Sequence, residues 1–160
     1  MPVRYFVAFL SVALLVSGCM TEETVFARDG VQVYQRLSVI GTSAYSLRIG
    51  GVLYDNLTSG FYVSVPEKNL VCFTTVDLIG GSTYLHVVST GDQGRAFKIR
   101  LGPEISGFSS ALGSKQTDPG STYVDHVIGE SIYFTEKISS GIIGHYRLDL
   151  EKQTLTKIEK

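Results

Sequence analysis

Ser131-Ile-Tyr-Phe-Thr135, His145-Tyr-Arg-Leu-Asp-Leu150 and Leu155-Thr-Lys-Ile158 are three short runs of β-branched, aromatic and aliphatic residues within one stretch of the chain. Such side chains suit a pleated, half-buried surface, and the Gly, Ser, Asp and Gln between the runs supply turns. No apolar period of 3.6 residues passes through the stretch, so a helix would have no coherent face to bury. The spacing predicts antiparallel strands joined by short connections, entered through Ile128-Gly129-Glu130-Ser131, where Gly stands first as a type II′ turn prefers.

Working outward, the same texture fills the chain from Gly30 onward. It predicts an all-β domain of eleven short strands near 31–38, 44–49, 52–55, 60–65, 69–76, 83–89, 95–101, 122–128, 131–137, 143–150 and 153–159. Ile49-Gly50-Gly51-Val52 reads as a two-residue hairpin whose glycines supply the positive φ that such a turn requires. Thr90-Gly-Asp-Gln-Gly94 is a freer loop. Gly102 to Gly120, rich in Gly, Ser and Pro, reads as one long surface excursion, with a turn of helix at most at Ser109-Ser-Ala-Leu112.

The chain also repeats. At an offset of 61, Tyr62-Val63 matches Tyr123-Val124, Phe73-Thr74 matches Phe134-Thr135, and Gly80 matches Gly141. A fainter copy lies earlier, in Val31, Val33 and Tyr45-Ser-Leu47. The unit is four antiparallel strands in about forty residues, and it resembles a blade of a β-propeller. Blades bury both faces against neighbours, which suits Leu70-Val-Cys-Phe-Thr-Thr-Val76 with its weak polar alternation. The first copy is expected to lack one strand. Three units are too few to close a ring of ~4–8 blades. The expectation is therefore an incomplete propeller, a sandwich or a barrel, with a ring completed by a second copy or another envelope protein as one outcome.

The amino terminus carries a different message. Arg4 is the only charge before Glu22, and Tyr5 to Val16 is an uncharged apolar run. As a helix it would span about 18 Å, short of the ~30 Å hydrocarbon core. A positive n-region, a short apolar core and small residues at a cleavage point mark an export signal. Val16-Ser17-Gly18-Cys19 resembles the lipobox of bacterial lipoproteins. The resemblance, which covers residues 1–19 only, implies cleavage between Gly18 and Cys19 and a diacylglyceryl (palmitate-type) thioether on Cys19. It divides the chain into a signal peptide (1–18), a lipidated N-terminus and tether (19–29) and one all-β domain (30–160). Thr21 to Arg28 is expected as tether or a single helical turn. Met20, where the family often places Asp for inner-membrane retention, implies the outer membrane, facing the periplasm, if the source has one.

Loss of Arg4 with the leader leaves 13 basic against 15 acidic residues. Without a basic block there is no footprint for nucleic acid and none for anionic lipid, so the lipid on Cys19 would supply membrane affinity alone. With Cys19 a thioether, Cys72 has no intrachain partner, and its apolar setting reads as a small buried residue.

Candidate chemistry is sparse. His86, His126 and His145 form no metal spacing, and His86 and His145 fall inside strands, where a hydrogen-bonded structural role is expected. Asp125-His126 could orient an imidazole as a base, but strand neighbours point to opposite faces, so the two are expected not to touch. No nucleophile elbow, phosphate loop or calcium loop is present. Tyr62, Tyr84, Tyr123, Tyr133 and Tyr146 read as core or sheet-face packing. The expectation is a lipid-anchored envelope protein with a binding or assembly module, no cofactor, no metal and no catalytic residue. The alternative is a small envelope hydrolase whose acids or His gather from distant strands.

Overall fold

The computed structural model describes residues 21–28, 30–37, 43–58, 62–91, 95–103, 105, 121–138 and 141–159. Within them the chain is all-β, with twelve strands: β1 (Thr21–Arg28), β2 (Val31–Leu37), β3 (Ser43–Ile49), β4 (Val52–Leu57), β5 (Val63–Val65), β6 (Leu70–Val76), β7 (Thr83–Ser89), β8 (Ala96–Arg100), β9 (Ser121–Ile128), β10 (Ser131–Ile138), β11 (Gly141–Asp149) and β12 (Thr154–Ile158). A short 3-10 turn, Pro66–Lys68, joins β5 to β6. The expected eleven strands are present. Most of the 102–120 excursion, including 109–112, lies outside the described residues.

The twelfth strand corrects the reading of residues 21–28. Thr21–Arg28 is not a tether or a helical turn but β1, paired antiparallel with β2 from Thr21↔Leu37 to Arg28↔Val31 through one bulge. Its Thr, Val and Phe suit a strand, and among the described residues β1 pairs on one side only. Among the described residues the first unit therefore has four strands, β1 to β4.

The strands form three four-stranded meanders: β1–β4, β5–β8 and β9–β12. The first two merge into one eight-stranded sheet through a single pair, Leu57↔Thr75; the third is separate, in the order β12-β11-β10-β9. Neither sheet closes into a barrel.

The meanders stack. On β6, Val71 and Phe73 pack with Val31, Val33, Leu47, Ile49 and Leu57 of the first meander. Their strand neighbours Leu70 and Cys72 turn the other way, onto Ile132, Phe134, Tyr146 and Leu148 of the third. β6 is thus buried on both faces, between the first and the third meander. Phe73 and Phe134, which match in the repeat, are each buried against the preceding meander. Burying a phenyl ring completely contributes roughly 1.5–3 kcal/mol.

The two ends of the stack differ. At one end, Glu130 in the β9–β10 turn pairs with Lys68 (2.6 Å) and Arg95 (3.3 Å), clamping the third meander to the β5–β6 and β7–β8 connections of the second. We call this the clamp end. Val31, paired with Ile49, lines a cavity with Pro66, Asn69 and Thr90, which puts the Gly50-Gly51 turn at this end too, with both φ positive (54° and 84°) as a two-residue hairpin demands. At the far end β1 begins, β4 ends beside Thr75, and β6 turns into β7.

Candidate functional site

Gly18 and Cys19, the expected cleavage and lipidation residues, lie outside the described residues. Cys19 is two residues before Thr21, so at most about 7 Å of chain separates the two Cα atoms.

Two interior sites share one geometry, in the second and the third meander. In the second meander Phe73 stands opposite His86, and in the third Phe134 stands opposite Tyr146. Two residues beyond each Phe is a polar side chain that reaches its polar ring: Thr75 Oγ1 lies 2.8 Å from His86 Nε2, and Tyr146 Oη donates to Glu136 Oε2 at 2.6 Å. The same diagonal device therefore occurs twice, with different chemistry.

The His86 version is partly open. Its ring stacks on Phe73 (centroids 5.0 Å, 4° between planes) and meets Tyr54 of β4 edge-on at 5.7 Å. Desolvation first, and then the charge of Lys98 opposite it, push the imidazole down to about 4. At neutral pH this His is uncharged and held as a structural ring, the role expected from its place inside a strand.

The Tyr146–Glu136 version is sealed, with both residues nearly inaccessible. Burial first, and then the bond to Glu136, raise the Tyr146 phenol above its ordinary range. Gly144, opposite Glu136 in register, makes room for the ring: a Cβ there would lie 2.9 Å from Tyr146 atoms. Thr122, also opposite Glu136, is buried with no hydrogen-bond partner for its hydroxyl. A buried acid bonded by a neutral phenol needs this enclosure to be satisfied, and it reads as a structural lock. The sequence signal was available in Ile132, Phe134 and Glu136, which share one face of β10 and make the acid face inward.

On the outer face of the third meander the structure corrects one expectation. Asp125 and His126 do touch: Asp125 Oδ2 lies 3.2 Å from His126 Nδ1. The reason is a bulge. Tyr133 pairs with His126 but Phe134 pairs with Val124, so Asp125 is an extra residue and strict alternation fails there. The imidazole stacks on Tyr133 (4.4 Å, 16°), and both members of the pair are about half exposed. Tyr133 is flanked on its other side by Arg147, which bonds Ser131 and Asp149. His145 is held by Thr135 at 3.2 Å. The three histidines are not brought together.

Cys72 is a free, fully buried thiol, pushed up to about 12 by desolvation, so it packs as an apolar residue. A cavity of 160 Å³ lies at the clamp end between the first two meanders, lined by Val31, Tyr62, Ser64, Pro66, Asn69, Leu70, Val71 and Thr90, without an acidic, basic or histidine side chain. Among the described residues no group of three His, Cys, Asp or Glu is placed to hold a metal ion, and no helix is long and apolar enough to cross a membrane. Comparison of the chain with protein-family models, with curated proteins and with solved structures found no match.

Proposed function

We propose that this chain is a lipid-anchored protein of the bacterial cell envelope whose β domain is a binding or assembly module. The observation that carries this reading is the junction between the lipobox-like Val16–Cys19 and β1. An apolar leader ends at Ser17-Gly18-Cys19, and a folded sheet begins two residues later. A domain so close to its anchor would work at the membrane surface, facing the periplasm from the outer membrane if the source has one.

The stacked meanders support the binding half of the proposal. Within the described residues, β1 and β8 are open edges of one sheet and β9 and β12 of the other, and such edges can pair with another chain. Two copies of a three-meander stack would reach the range in which propellers close, so a second copy and another envelope protein are both suitable partners. Converting Cys19→Ala tests the anchor: wild type should fractionate with membranes and the variant should not. Equal fractionation of the two would remove the proposal's basis.

A second reading, a small envelope hydrolase, is favoured by the Asp125–His126 contact, because a carboxylate can orient an imidazole as a base. It requires turnover of an envelope ester or amide that His126→Ala abolishes. Turnover indifferent to that substitution would exclude this pair.

A further inference from the structure

We propose that the β6–β7 turn is a second membrane contact, inserting Leu78 and Ile79 into the interfacial layer of the bilayer that holds the Cys19 lipid; this rests on the lipid-anchor reading above. Leu78 is 74% exposed and Ile79 100% exposed. They are not on a loose loop. The Asp77 N–H donates to the Ser82 carbonyl (2.8 Å), the Gly81 N–H donates to the Asp77 carbonyl (2.8 Å), and Asp77 Oδ1 accepts the Ile79 N–H (3.0 Å). Gly81 takes a φ of +65° that closes the turn. The backbone is thus committed to holding two adjacent aliphatic side chains in water, at a tip whose one carboxylate is turned back onto the turn itself.

Their position names the occupant. The β6–β7 turn is at the far end of the stack, where β4 ends beside Thr75 and where β1 begins at Thr21. Cys19 lies within about 7 Å of chain from that point. β6 packs face to face on β2, the strand paired with β1, so β1 and β6 lie roughly 10–15 Å apart. A lipid on Cys19 therefore brings the far end down onto the bilayer, with the Leu78–Ile79 tip beside the anchor on the same side. Ile128, 62% exposed, belongs to the clamp end and would point away. Lipid alone leaves a domain free to swivel, whereas a lipid plus an apolar tip fixes its orientation.

The chain contains no Trp, so one introduced indole is an unambiguous reporter. Ile79→Trp and Ile128→Trp, each in the full processed protein, would be compared on phospholipid vesicles with and without brominated acyl chains. Intact mass would report acylation of the same samples. Both positions are solvent-facing, so neither change strains the fold, and the indole's own interfacial preference is the same in each. At position 79 the expected result is a blue-shifted emission quenched by brominated lipid to roughly half or less, with the indole at 128 remaining water-like. A water-like indole at 79 in acylated, vesicle-bound protein overturns the tip and leaves the anchor standing, as does quenching at 128 in place of 79. If the acyl mass is absent, the anchor reading fails. A shift at 79 on vesicles then still upholds the contact, and no shift overturns it.

Discussion

Lowering the pH should destabilise this domain through His86 before its carboxylates are titrated. In the fold the imidazole is pushed from 6.5 down to about 4, by desolvation and then by Lys98. The other groups in contact with it are Tyr54, Phe73 and Thr75, none of which stabilises a positive ring as a carboxylate would. The folded state disfavours the proton, so between pH 6.5 and 4 the unfolded chain binds more of it. Stability from this source is complete above pH 6.5 and is lost as pH falls towards 4. The full displacement would correspond to about 3 kcal/mol. The ring is partly open to solvent, and screening reduces the expected loss to about 1–2 kcal/mol. Urea denaturation of wild type and His86→Gln at pH 7.5 and pH 5 isolates the effect. Gln can keep a bond to Thr75 but cannot titrate, and loss of the aromatic stack should cost about 1 kcal/mol at pH 7.5. The gap between the two proteins should narrow or invert at pH 5. Parallel curves, with the same loss in both, would refute the assignment.

Other substitutions probe the sealed lock and the buried thiol. Tyr146→Phe, which strands Glu136 without its donor, should cost about 1–3 kcal/mol, and Gly144→Ala should cost about 1–3 kcal/mol by overpacking the ring; thermal melts of each would show it. Thr122→Val removes a buried hydroxyl that has no partner, and should leave stability unchanged or raise it by up to about 1 kcal/mol. Titration with a thiol reagent should find native Cys72 unreactive. In denaturant the processed protein should yield one thiol if Cys19 is a thioether, and two would contradict the anchor.

Much of the architecture was readable because β runs separated by Gly and Asp leave few alternatives. Phe73 and Phe134 match at an offset of 61, and each stands opposite a polar ring held by a hydrogen bond, Thr75–His86 and Glu136–Tyr146. β1 was not readable. Its opening Thr-Glu-Glu has no apolar alternation, and a bulge between Thr24 and Phe26 shifts its register against β2. What holds such an edge is backbone pairing, which composition does not display. The Asp125–His126 contact was missed for a related reason: alternation is sound until a bulge inserts a residue, and nothing local marks that bulge. The inward-facing Glu136 could have been found from parity along β10, but its satisfaction by Tyr146 depends on Gly144 across the strand pair.

The central claim is that the processed chain begins at an acylated Cys19. Intact-mass measurement of the membrane-extracted protein, with Cys19→Ala beside it, tests this most directly. Wild type should lack residues 1–18 and carry the mass of a diacylglyceryl group or more on its first residue, and the variant should carry none. A wild-type mass without acyl chains, or a mature terminus at any residue other than Cys19, would contradict it.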